Sequence, residues 1–257
     1  MPIVSLKGMD FFYEQSGAGP ELLFLNGSGA TLVDAAPLLS VLAEDFEVAA
    51  FDQRGVGRTS MPAGPYTMAE LAADALALAT HLGWDRFRVL GVSFGGMVAQ
   101  ELAVTVPERI ERLALLCTSS GGAGGSSYPL HALTQRGEEQ RQPLPGRLFG
   151  APGGENGGDA DRLLGRVLSG RLAAQEPGAA LQLRARAEHD VFDRLPRITC
   201  PTFVASGTHD MIAPPRRGSA IADHVPQSVF RVFTGGHLFF AEDPEAIPAV
   251  TQFLSGG

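Results

Sequence analysis

Short apolar runs recur along the chain, each ending in a polar or glycine-bearing loop and most followed by a stretch of helical spacing. Runs of strand type fall at 3–7, 10–15, 22–25, 46–51, 87–90, 112–116, 202–205 and 229–233. The first two turn on Gly8 and read as an antiparallel pair. Helical periods fall at 31–43, 67–82, 97–105, 159–174, 177–193, 216–224 and 244–254. Within the first of these, Pro37 is tolerable only near the start, because proline has no N–H to give to the preceding turn. The helix over 67–82 is the best marked. Thr67 and Glu70 have the capping-box spacing, Leu71, Ala75, Leu78 and Leu82 form an apolar stripe, and Gly83 stops it.

Strands alternating with helices predict an α/β fold: a mostly parallel, twisted, eight-stranded sheet with helices on both faces. One stretch breaks the alternation. Residues 120–195 carry helical patterning and no strand. The chain therefore divides into a first part of the core at 1–119, a helical lid or cap insertion at 120–195, and a second part of the core at 196–257. Such an insertion sits above the C-terminal strand ends, where open parallel sheets bind their ligands. At its start, Gly121-Gly122-Ala123-Gly124-Gly125-Ser126-Ser127 has the composition of a flexible linker.

Composition narrows the function. A length of 257 residues with 44% hydrophobic content suits one large domain with an insertion. A net charge of -8, with Lys7 the single lysine and no arginine cluster, argues against a nucleic-acid partner. No apolar run reaches membrane-spanning length, and the first residues have no apolar leader core, so a cytoplasmic protein without a membrane partner is expected. Cys117 ends one predicted strand and Cys200 precedes the next, at opposite edges of the sheet, so both are expected as free thiols.

The chemistry gathers at loops that follow strands. Gly91-Val92-Ser93-Phe94-Gly95 has the G-x-S-x-G form, with a strand before it and a helix after it. In that turn a serine is projected from the sheet, and glycines leave room for the neighbouring backbone. A serine hydroxyl needs a base, and the base needs an orienting acid. His237 follows the last strand and Asp210 follows the one before it, so Ser93, Asp210 and His237 are the expected catalytic residues. His209, adjacent to that acid, is disfavoured as the base. His81 and His224 read as surface residues. His131 and His189 lie in the insertion, exposed or against substrate.

An oxyanion hole is expected from the N–H of Phe94 and from the loop after the strand at 22–25, with Ser28 preferred and Gly27 or Gly29 as alternatives. Substrate contacts are expected from Asn26 and Gly29 beside the hole, Leu238 and Phe239 beyond His237, and His131 and Phe149 in the insertion. Residues 52–57 read as a structural loop. No residues have metal-ligand spacing, Gly27-x-Gly29 is followed by no P-loop lysine, and no cofactor is implied.

Together these residues resemble the α/β-hydrolase superfamily, and more closely its lid-bearing serine hydrolases. Enol-lactonases, carboxylesterases, C–C bond hydrolases and cofactor-free haloperoxidases share this outline. The resemblance covers 4–120 and 200–254 and rests on Asp52-x-Arg54-Gly55-x-Gly57-x-Thr59-Ser60, Gly91-x-Ser93-x-Gly95-Gly96, Gly207-x-x-Asp210 and Gly236-His237. It implies a Ser93–Asp210–His237 triad and a lid over 120–195. The chain departs from the pattern at Asn26-Gly27, where relatives usually carry His-Gly, and at Ala35-Ala36, in the region of a usual aromatic residue. A serine at 93 disfavours dehalogenase and epoxide hydrolase chemistry, which uses aspartate there.

The resulting expectation is hydrolysis of a small-molecule carboxylic ester or lactone through an acyl-Ser93 intermediate. The alternatives are C–C hydrolysis of a vinylogous diketone, or a non-catalytic ligand-binding protein on the same fold.

Overall fold

The computed structural model describes residues 2–131 and 177–256. Among these, eight strands form one sheet in the order β1-β2-β4-β3-β5-β6-β7-β8. They are β1 (Ile3–Leu6), β2 (Met9–Ser16), β3 (Glu21–Leu25), β4 (Glu47–Phe51), β5 (Phe87–Val92), β6 (Ile110–Leu116), β7 (Thr202–Gly207) and β8 (Ser228–Phe233). β1 and β2 form the expected antiparallel pair, β2 joins β4 antiparallel, and all remaining pairings are parallel.

The helices are α1 (Leu32–Leu42), α2 (Met68–His81), α3 (Phe94–Thr105), α4 (Pro177–Ala187), α5 (Pro215–Ala222), α6 (Phe239–Glu242) and α7 (Ala246–Ser255). They clothe both faces because strand residues alternate sides. Leu23 and Leu25 of β3 face the layer that holds Leu71 and Leu78 of α2 and Val98 and Leu102 of α3. Leu22 and Phe24 face the other way, onto Leu39 and Leu42 of α1 and Val250 and Leu254 of α7. Each such fully buried side chain contributes roughly 1.5–3 kcal/mol.

The capping box at α2 forms as its sequence requires. Glu70 N–H donates to Thr67 Oγ1 at 3.2 Å, and Thr67 N–H donates back to Glu70 Oε2 at 2.9 Å. Pro37 departs from expectation, since it sits in the second turn of α1. Its ring is on the exposed side, away from the buried Ala35 and Leu39 that seat the helix.

Residues 121–125 also depart from the linker reading. They make a short 3-10 turn, Gly122–Gly124, closed by a bridge between Gly121 and Gly125, with Gly121 and Gly124 buried. The region 177–193 is helical only to Ala187, and a 3-10 segment, Phe192–Arg197, follows. The helical pattern at 159–174 and Phe149 lie outside the described residues. Cys117 and Cys200 are free and buried.

The register sets up the functional edge. Leu25 lies beside Gly91, Val92 beside Leu116, Leu116 beside Ala205, and Gly207 beside Phe233. Five consecutive parallel strands therefore end level, and the loops that leave them meet. The chain runs from β3 outward to β4 and then crosses back to β5, so this edge is also where the strand order reverses.

Candidate active site

Ser93 occupies a sharp turn between β5 and α3, with φ 53° and ψ −111°. A side chain disfavours that backbone, which is a common cost of projecting a functional group. The turn is pinned. Ser93 N–H donates to the Leu116 carbonyl at 2.8 Å, and Thr118 Oγ1 donates to the Ser93 carbonyl at 2.7 Å. The flanking glycines are required by close approach. A Cβ at Gly91 would lie 2.6 Å from the Gly95 carbonyl oxygen, and one at Gly95 would lie 2.0 Å from that of Leu25.

The loops after β7 and β8 bring the other two groups. A Cβ at Gly207 would lie 2.0 Å from the Gly236 carbonyl oxygen, so these loops touch through bare backbone. His237 Nδ1 lies 2.8 Å from Asp210 Oδ2, and His237 Nε2 lies 2.9 Å from Ser93 Oγ. The other carboxylate oxygen, Asp210 Oδ1, accepts the N–H groups of Ile212 and Ala213 at 2.8 and 2.9 Å. The carboxylate is thus an acceptor throughout. His237 Nδ1 carries the proton toward it, and the Nε2 lone pair faces the serine hydroxyl. Asp210 and His237 are buried, whereas Ser93 is partly open. His209 is exposed and turned away, as its position beside the acid suggests.

The loop from Asn26 to Ala30 faces Ser93. Asn26, which stands where a histidine is usual, holds the turn by two bonds: its Nδ2 donates to the Thr31 carbonyl at 3.0 Å and its Oδ1 accepts Gly27 N–H at 2.9 Å. Gly29 N–H donates to Gln182 Oε1 at 2.6 Å. The N–H groups of Ser28 and Phe94 are left without partners among the described residues, and the buried Ser28 Oγ is also unpaired. Of the three loop candidates, the Gly27 and Gly29 N–H groups are therefore already committed and Ser28's is free.

Residues 52–60 support this loop, in keeping with their structural reading. Gln53 Nε2 donates to the Asn26 carbonyl at 2.9 Å, and Asp52 Oδ1 accepts Leu32 N–H at 2.8 Å. Arg54 makes a two-pronged pair with buried Asp74 at 2.6 and 2.7 Å.

A cavity of about 430 Å³ opens from Ser93 and His237. Asn26, Gly27, Ser28 and Leu238 line it, together with Pro37, Leu38 and Val41 of α1 and with Phe240, Ala241 and Ile247. Phe239 belongs to the core instead. It is fully buried and stacks on Phe233 with centroids 5.5 Å apart, because the first turn of α6 points it under the sheet edge. Among the described residues of the insertion Leu130 lines the cavity, and its neighbour His131 does not.

His189 is neither exposed nor in this cavity. It is 5% exposed beside a separate small polar cavity with Glu101 and Arg194, and burial pushes its pKa down to about 4. Neither ring nitrogen makes a hydrogen bond of ordinary geometry; the Ser119 backbone, which pulls its pKa back up, falls outside that geometry. Gln182, Gln53, Pro37, Leu38 and Val41 are site residues that pattern reading missed. Gln182 lies at a buried polar position of a helix, for which hydrophobic spacing gives no signal.

A serine on a strand-to-helix elbow, with an acid and a histidine on the next strand ends, fits one fold family. The chain belongs to it: the family model described as alpha/beta hydrolase fold matches residues 20–148. The chain is 31% identical over 237 residues to a poly(3-hydroxyalkanoate) depolymerase of Ectopseudomonas oleovorans, covering 91% of this chain and 83% of that protein. It is 28% identical over 232 residues to 3-oxoadipate enol-lactonase 2 of Acinetobacter baylyi, covering 88% and 85%. A hydrolase from Pseudomonas aeruginosa PA01 superimposes with a TM-score of 0.81 at 30% identity, covering 100% of this chain and 98% of that one.

Proposed function

We propose that this α/β-hydrolase, an enzyme of the carboxylic ester and lactone hydrolase class, works through an acyl enzyme on Ser93. The carrying observation is the unbroken chain from Ser93 Oγ through His237 to Asp210. His237 Nε2 takes the hydroxyl proton as Ser93 Oγ bonds to the carbonyl carbon. The carbonyl oxygen takes the negative charge and is met by the N–H groups of Phe94 and Ser28. Collapse of the intermediate breaks the bond to the leaving oxygen, which receives the proton from His237. Water then repeats the sequence on the acyl enzyme, releasing the acid and restoring Ser93. Asp210 orients the imidazole and balances its transient charge.

The substrate has an apolar body. The cavity follows α1 from Asp34 to Val41, a rise of roughly 10 Å, between aliphatic and aromatic walls. A poly(3-hydroxyalkanoate) depolymerase and an enol-lactonase among the relatives support an ester or lactone as the reacting group. The insertion at 120–195 acts as the lid, and its described exit helix α4 lies against the oxyanion loop. No helix among the described residues is long and apolar enough to cross a membrane. A cytoplasmic setting belongs to the same reading, supported by two unpaired cysteines.

The test is hydrolysis of a series of p-nitrophenyl esters by the wild type and by Ser93→Ala. Wild-type rates should rise from acetate toward medium-length acyl chains. Ser93→Ala should lose at least about ten-thousand-fold in kcat with its fold intact. A Ser93→Ala enzyme as active as wild type would sink the mechanism, and a preference for charged acyl chains would sink the apolar substrate.

A further inference from the structure

Helix α4 carries a polar stripe inward. Gly178, Gln182 and Arg186 recur every fourth residue, share one helix face and are all buried. A Cβ at Gly178 would lie 1.6 Å from the Gly55 carbonyl oxygen, so the helix sits directly on the backbone of the loop after β4. At the other end Arg186 donates from Nη1 to the Tyr128 carbonyl at 2.8 Å and from Nη2 to Ser127 Oγ at 2.7 Å. Burial pushes that guanidinium down to about 10, opposed by the Asp210 charge, and it stays cationic at neutral pH. Between these anchors stands Gln182, fully buried, with Oε1 on Gly29 N–H at 2.6 Å.

Gln182 meets the oxyanion loop on the side that the core leaves unheld. Asn26 is fixed from the core by Gln53, and Leu32, where α1 begins, by Asp52. Gly29 is fixed by Gln182. Ser28 lies between, with its N–H free, and lines the cavity together with Ser93. The N–H that Gln182 accepts belongs to the planar peptide joining Ser28 to Gly29. Holding that plane restrains ψ of Ser28; the neighbouring plane, which carries the Ser28 N–H itself, is held by the Ala30 N–H on the Gly27 carbonyl at 3.2 Å, so the two bonds together hold the donor. A buried amide deprived of its acceptor turns toward another partner, and Ser28 would turn with it.

We propose that Gln182 is a positioning residue for the oxyanion hole: by accepting the Gly29 N–H it sets the direction of the Ser28 N–H, and the hole is complete only while α4 is docked. This rests on the acyl-Ser93 reading given above. Gln182 touches no reacting atom. Its influence passes through one hydrogen bond from the exit of the insertion to the loop that receives the developing charge.

The test compares Gln182→Met, which keeps the length and loses the acceptor, with Gln182→Glu, which keeps an oxygen at the same reach. Competent Ser93 is counted in each preparation by end-point titration with a p-nitrophenyl phosphonate, so misfolded protein is divided out. Per titrated serine, Gln182→Met should lose roughly tenfold or more in kcat with KM changed less than about threefold, and Gln182→Glu should regain most of the loss. Wild-type kcat in Gln182→Met overturns the proposal, as does equal slowness of both variants or a loss confined to KM. Should Gln182→Met fail to fold, Gln182→Asn, one methylene short of Gly29, takes its place with the same expectation. Ser93→Ala run alongside separates the two levels, since activity surviving there breaks the acyl-enzyme reading, whereas slow Gln182 variants in a serine-dependent enzyme bear only on the hole.

Discussion

Residues 91–96 and 121–125 are both glycine-rich turns that follow a strand of the same sheet, and they serve opposite ends. The first presents a nucleophile. Its glycines let α3 lie against β3 and β5 so closely that Ser93 is forced outward. The second presents nothing reactive and ties the chain after β6 to the segment after α4. A Cβ at Gly121 would lie 1.9 Å from the His189 carbonyl oxygen, and Val191 N–H donates to the Ser120 carbonyl at 2.9 Å. The two stretches are clasped there. Composition suggests looseness at 121–125, yet Gly121, like Gly91 and Gly95, is there because another backbone is too near for a side chain.

Substitutions that add one methyl group separate the two roles. Gly95→Ala should have the largest effect, with a stability loss of about 4 kcal/mol or more by urea unfolding and no measurable esterase activity in what remains folded. Gly121→Ala should cost about 3 kcal/mol while leaving kcat per titrated Ser93 within a factor of about two. A comparable activity loss from Gly121→Ala would show that the clasp reaches the chemistry.

A third effect, which appears only as pH falls, concerns the ring behind the clasp. His189 has its pKa held down to about 4 by burial, against an ordinary value of 6.5. The unfolded chain then binds a proton that the folded chain refuses, so stability is complete above about pH 6.5 and falls as pH drops toward 4. The loss should reach on the order of 3 kcal/mol, and a His189→Phe protein should show a flatter unfolding free energy between pH 7 and 4. Equal slopes in the two proteins would refute the assignment.

Much of the site was legible because its chemistry is local. The strand, Ser93 and the start of α3 are contiguous, and Asp210 and His237 follow consecutive strands, so sequence order and the sheet's level edge bring them together. The capping box at Thr67 is legible for the same reason. What escaped depends on partners remote in sequence. Gln182 and Gly29 are 153 residues apart. Phe239 and Phe240 are adjacent, and only the entry angle of α6 decides that the first joins the core and the second the cavity. His189 reads as exposed or against substrate because nothing in its neighbours signals that the segment after α4 turns inward.

Helix α1 divides labour along its length. Its first N–H, at Leu32, is bound to Asp52, which keeps the reactive end of the cavity in register with the sheet. Leu38 and Val41, more than one and more than two turns later, line the apolar part of the cavity. Selection can therefore redraw which molecules this enzyme accepts by exchanging side chains on the distal half of one helix, with the machinery of bond cleavage left as it stands.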